Sequence, residues 1–78
     1  MDLKLYYKAE CPFCKKVLRF IDNKKIEGVE LVDIKADEAN KKYLIEKGGM
    51  DQVPCLFIDG KPMYESMDII KFLDEKFQ

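Results

Sequence analysis

Apolar residues recur at alternate positions in Leu3, Leu5 and Tyr7, and the run breaks at Lys8-Ala9-Glu10, which predicts a strand over about residues 2–7. Phe13, Val17, Phe20 and Ile21, with Lys24 through its stem, then fall at helical spacing. Pro12 suits the first turn of that helix, where its missing N–H leaves no bond unmade, so a helix is predicted over about 12–25. Its outer face is basic: Lys15, Lys16 and Arg19. Gly28 closes the turn before a second strand, Val29–Ile34. Asp37 fits the N-cap of a second helix with Ala39, Tyr43 and Leu44 inward and Gly48-Gly49 as its stop. A third strand, Val53–Ile58, opens with Pro54, and Asp59-Gly60 is a strong hairpin signal leading into a short fourth strand, Lys61–Tyr64. Ser66 caps a third helix that turns Ile69, Ile70, Leu73 and Phe77 inward and carries Asp68 in its first turn.

The predicted order is β-α-β-α-β-β-α. A strand–helix–strand unit requires a parallel pair with a right-handed crossover, and the hairpin adds an antiparallel pair. The expected fold class is therefore α/β, a small mixed sheet covered by helices.

At 78 residues the chain is expected to be one domain over 1–78. Such a domain buries roughly 60% of its unfolded surface, and 47% hydrophobic residues suffice for a core. A net charge of -1 lacks the basic footprint of a nucleic-acid binder. No apolar run approaches the roughly 20 residues that span a bilayer, so no membrane partner is expected. Met1-Asp2-Leu3-Lys4 does not read as a signal peptide. Three cysteines, an odd count, argue against a disulfide-stapled secreted scaffold. The expected location is the cytoplasm.

Cys11-Pro12-Phe13-Cys14 carries the chemistry. Two thiols three residues apart at a strand-to-helix turn can cycle between dithiol and disulfide, and the spacing suits the Cα separation of about 4.4–6.8 Å that a disulfide needs. Cys11, at the N-cap, would receive the N–H groups of Phe13 and Cys14, with Lys8 and Lys15 adding positive potential. Cys14, inside the helix, is less exposed, so Cys11 attacks and Cys14 resolves. The competing readings are half a zinc site or two inert thiols. Zinc takes four ligands, and only Cys55 and no histidine remain, so no metal site is expected. The absence of histidine also excludes a Cys-His dyad. By residue type alone, Pro54 is an ordinary strand-start proline and Cys55 a small buried hydrophobe or a regulatory thiol near Cys11.

Lys8-Ala9-Glu10-Cys11-Pro12-Phe13-Cys14, then Val53-Pro54, then Phe57-Ile58-Asp59-Gly60, resemble the glutaredoxins of the thioredoxin-fold superfamily over essentially the whole chain. The resemblance implies a four-stranded mixed sheet flanked by three helices, a cis bond before Pro54, and glutathione-dependent thiol–disulfide oxidoreductase activity. Cys11 and Cys14 would be catalytic. Glutathione would be a co-substrate, with no permanently bound cofactor. Its site would comprise Lys8, Phe13, Val53, Pro54, Ser66, Met67 and Asp68. Lys8 would pair with the glycyl carboxylate, the Val53 backbone with the cysteinyl backbone as an added strand would, the Ser66-Met67 amides with the γ-glutamyl carboxylate, and Asp68 with the α-amino group. Partners would be glutathione and disulfide-containing or glutathionylated proteins, with the protein a monomer.

Three departures from the family pattern stand out. Phe13 replaces a common tyrosine, Gln52 a usual threonine, and Tyr64-Glu65-Ser66 a glycine-rich segment. The Glu-Ser pair resembles the glutathione-binding loop of glutathione S-transferase N-terminal domains. Three other functions are compatible with the residues: a redoxin driven by thioredoxin reductase, a [2Fe-2S] carrier using Cys11 and glutathione, and a detached transferase domain.

Overall fold

In the computed structural model, which describes residues 1–78, the chain runs β1 (Leu3–Tyr7), α1 (Pro12–Asn23), β2 (Val29–Asp33), α2 (Glu38–Gly48), β3 (Cys55–Ile58), β4 (Lys61–Met63) and α3 (Ser66–Lys76). The four strands form one mixed sheet in the order β2-β1-β3-β4. β1 is parallel to β2 and antiparallel to β3, which is antiparallel to β4. This is the α/β, thioredoxin-like arrangement that the element order and the resemblance imply.

β1 and β3 are the central strands, so both of their faces are covered. Leu3, Leu5 and Leu56 face Val17 and Ile21 of α1 and Ile69 and Leu73 of α3. Tyr6, Cys55 and Phe57 project into a second core with Ile34 and Leu44. The alternation of Leu3, Leu5 and Tyr7 marks only the first face. Tyr6 is buried as well, stacked on Tyr43 of α2 at 5.6 Å and edge-on to Phe57 at 5.1 Å.

Several expectations change at the element ends. Phe13 is 60% exposed, and the inner face of α1 is Cys14, Val17 and Ile21. The helix meets the sheet at a phase that adds Cys14 to Val17 and Ile21 on the inner face, at intervals of three and four residues, and leaves Phe13 outside it. Lys24 stays exposed, its Nζ 6.0 Å from the Phe20 ring centroid. Ala39 and Tyr43 are exposed, leaving Leu44 as the buried residue of α2. Phe77 lies past the last turn of α3 and is exposed. The third strand begins at Cys55, since the chain bends at Val53-Pro54 and proline has no N–H for the ladder. The Val53-Pro54 bond is cis, as the resemblance implies and residue type alone did not.

The punctuation holds elsewhere. Asp37 Oδ1 accepts the Ala39 N–H at 2.9 Å, and Gly49 ends α2 at φ 87°. Asp59 and Gly60 both take positive φ, 49° and 86°, as a tight hairpin requires. Ser66, however, is the first residue of α3 and not its cap. The cap is Glu65, at φ 71°. No helix is long and apolar enough to cross a membrane.

Candidate functional site

Cys11 occupies the N-cap of α1, one turn beyond the end of β1. The Cys11 N–H donates to the Lys8 carbonyl at 3.2 Å, and the Cys11 carbonyl accepts from the Lys15 N–H at 2.9 Å. This fixes the backbone so that the thiol faces out of the turn, 4.0 Å from the Val53 carbonyl oxygen. Both Cys11 and Cys14 are free thiols in the structure.

Their environments differ. Partial burial pushes the Cys11 thiol up, but the Cys14 N–H, the Cys14 thiol, the Phe13 N–H and the Lys8 charge together outweigh it. The net displacement is downward from the ordinary value. Of the two lysines near the motif, Lys8 contributes to this displacement, and Lys15 lies on the exposed face of α1. Cys14 is fully buried, and burial pushes its thiol up to about 12, with the neighbouring Cys11 adding to the rise and Lys8 partly opposing it. Cys55 is also fully buried, in the α2-side core, and burial pushes it up to about 11, partly offset by the Tyr64 hydroxyl and the Met63 backbone.

Two clefts meet beside this turn and share Gln52 and Val53. One, of about 380 Å³, is lined by Phe13, Lys16, Gln52, Val53, Pro54, Glu65, Ser66 and Met67. The other, of about 610 Å³, is lined by Lys8, Cys11, Ile34, Lys35, Glu38, Lys41, Asp51, Gln52 and Val53. The structure thus gathers Phe13, Val53, Pro54, Ser66 and Met67 around the smaller cleft, and Lys8 and Cys11 around the larger. Asp68 joins neither. It borders a separate depression with Met63, Lys71, Phe72 and Glu75.

Ser66 is 7% exposed, and its hydroxyl makes no hydrogen bond within the protein. The α3 N-terminus has no side-chain cap, so its first amides are free to bind an anion. Glu65 reaches this geometry in a backbone region nearly reserved to glycine, at a cost on the order of 1–3 kcal/mol. That conformation is consistent with a glycine-rich segment standing here in the pattern the chain resembles.

Sequence reading did not find Lys35, Glu38, Lys41 and Asp51. They come from the β2–α2 connection, α2 and the loop after it, and only the fold brings them to Cys11. Their charges are partly matched within the protein: Lys35 pairs with Glu10 and Lys41 with Asp51, each at 3.5 Å.

The glutaredoxin family model matches residues 3–63. A probable glutathione S-transferase of Nicotiana tabacum is 39% identical over 56 residues, 69% of this chain and 25% of that protein. Glutaredoxin 1 of Rickettsia prowazekii (strain Madrid E) is 33% identical over 57 residues, 70% of this chain and 59% of that protein. The chain therefore spans a quarter of the first relative's length and about three fifths of the second's. Among solved structures, a glutathione S-transferase from Methylobacillus flagellatus KT with glutathione bound is similar at a TM-score of 0.78. It is 28% identical, and the match covers 95% of this chain and 36% of that one.

Proposed function

The chain belongs to the glutaredoxin family, and from that premise we propose that it is a glutathione-dependent oxidoreductase that reduces protein–glutathione mixed disulfides and protein disulfides through Cys11. The observation that carries this reading is the Cys11 thiol itself. It is accessible, drawn down by helix N-terminal amides and Lys8, and set beside the Val53 carbonyl where two clefts meet.

The Cys11 thiolate attacks the glutathione sulfur of a mixed disulfide. The old S–S bond breaks, a new one joins Cys11 to glutathione, and the protein thiolate leaves and takes a proton from water. A second glutathione, as thiolate, attacks the glutathione sulfur on Cys11. Oxidised glutathione departs and the Cys11 thiolate returns. With a protein disulfide, Cys11 forms the mixed disulfide and the freed protein sulfur is protonated by water; Cys14 then attacks the Cys11 sulfur, its proton passes to the second departing protein sulfur, and the protein dithiol is released. Two glutathiones then reduce the Cys11–Cys14 disulfide. Couples of this kind lie at about -200 to -230 mV.

In this reading the smaller cleft takes the γ-glutamyl end. The free amides of Ser66 and Met67 and the Ser66 hydroxyl bind its carboxylate. Glu65, which lines the cleft, takes the α-amino group in place of Asp68, which does not. The Val53 backbone pairs with the cysteinyl residue, and Lys8 holds the glycyl carboxylate. Phe13, Met67 and Pro54 supply apolar walls.

The test is turnover of a glutathionylated peptide with glutathione, NADPH and glutathione reductase, run beside an assay with thioredoxin reductase. Saturable glutathione-dependent turnover and a glutathione adduct on Cys11 by intact mass are expected. Turnover with thioredoxin reductase alone, and no adduct, would overturn the reading.

A further inference from the structure

Tyr64 joins the two walls of the smaller cleft without lining it. Its hydroxyl donates to the Met50 carbonyl at 3.3 Å, linking the segment before α3 to the loop after α2. Met50 is two residues before Gln52, and Tyr64 directly precedes Glu65 and Ser66. The bond therefore ties the segment leading into the Gln52-Val53-Pro54 wall to the segment leading into the Glu65-Ser66-Met67 wall.

Gly48 provides an independent sign that this contact is built in. It is the last residue of α2 and has no positive φ, so its backbone conformation does not call for glycine. A Cβ there would collide with the Tyr64 hydroxyl, while its next contacts, with Phe57 and Tyr64 ring carbons, would be at an ordinary 3.4 Å. Glycine at 48 thus makes room for one oxygen atom. The Tyr64 ring packs on the α2-side core with Val53, so the clamp is anchored at its base too.

We propose that Tyr64 is a positioning residue that sets the width of the γ-glutamyl cleft through its hydrogen bond to the Met50 carbonyl. The inference rests on the glutathione reading above. It assigns Tyr64 no contact with glutathione and no part in activating Cys11.

Tyr64→Phe removes the hydroxyl and keeps the ring. KM for glutathione should rise about fivefold, the scale of one neutral hydrogen bond. The kcat at saturating glutathione and the pH profile of Cys11 alkylation should stay as in the parent. Gly48→Ala approaches the contact from the other side. It raises helix propensity, so a loss of affinity cannot come from a weakened helix. It should raise KM in the parent and add little in the Tyr64→Phe background, where no hydroxyl is left to displace. An unchanged KM in Tyr64→Phe, a shifted Cys11 profile, or additive effects of the two substitutions would each overturn the clamp. A parent protein with no saturable glutathione dependence overturns the glutathione reading, and the clamp with it. A parent that saturates beside an unaltered Tyr64→Phe overturns the clamp alone.

Discussion

Cys11 and Cys14 stand three residues apart and are displaced in opposite directions from the ordinary thiol range. Cys11 is drawn down, chiefly against its own partial burial, by amides at the start of α1, and Cys14 is fully buried and pushed up to about 12. One sulfur thus gives up its proton more readily than a free cysteine while the other holds its proton more tightly. Iodoacetamide should label the native reduced protein once, at Cys11, with a half-maximal rate below the ~8.5 of a free cysteine. Two adducts on the native protein, or a half-point at 8.5 or above, would contradict the assignment.

Cys14 acts on Cys11 through two groups, its backbone N–H and its thiol. Cys14→Ser keeps both donors, so under the proposed function it should retain reduction of glutathionylated substrates and lose the route that ends in a Cys11–Cys14 disulfide. Cys14→Ala removes the side-chain donor and should move the Cys11 alkylation profile upward. Cys11→Ser should abolish both activities. The pair of alkylation profiles checks the first contrast, and intact-mass detection of the internal disulfide checks the second.

Much of this architecture was legible because local signals agreed with one another. Pro12 after Cys11, Asp37 before α2, Gly49 after it and Asp59-Gly60 each specify a backbone turn from residue chemistry alone. What was not legible depends on contacts distant in sequence. Burial of Tyr6 requires knowing that β1 is central. Exposure of Phe13 depends on the phase at which α1 meets the sheet, and that of Phe77 on where α3 ends. Lys35, Lys41 and Asp51 gather near Cys11 only after the crossover is made. Ser66 looked like a cap because serine favours that position, yet Glu65 takes it in a conformation that no propensity favours. The cis bond before Pro54 followed from resemblance, since residue type alone leaned to trans.

Moving Ser66 from the cap into the helix changes what its hydroxyl is for. As the first helical residue, nearly buried and without a partner in the protein, it contributes little to folding. Ser66→Ala should leave the unfolding free energy within about 0.5 kcal/mol of the parent. Under the proposed function it should raise KM for glutathione about tenfold, the scale of a lost hydrogen bond to a carboxylate. Denaturant unfolding and steady-state kinetics on one preparation separate the two effects. A loss of 1 kcal/mol or more with unchanged KM would return the residue to a structural role.

The buried thiols also set how stability of the reduced protein depends on pH. Cys14 and Cys55 have folded values pushed up to about 12 and about 11, both by burial, against ~8.5 unfolded. A raised folded value means the stabilisation is complete below the unfolded value and is lost as pH climbs from there toward the folded one. Each thiol then lowers stability by about 1.4 kcal/mol per pH unit. Cys11 has the opposite sign: its contribution is complete above ~8.5 and is lost as pH falls through its depressed folded value. Stability attributable to Cys14 and Cys55 should therefore fall as pH rises above ~8.5. Guanidinium unfolding under reductant should show a loss of about 2–3 kcal/mol between roughly pH 9 and 10 in the parent, and about half that loss in Cys55→Ala. Equal losses in the two proteins would mean that the Cys55 proton is not held by the fold.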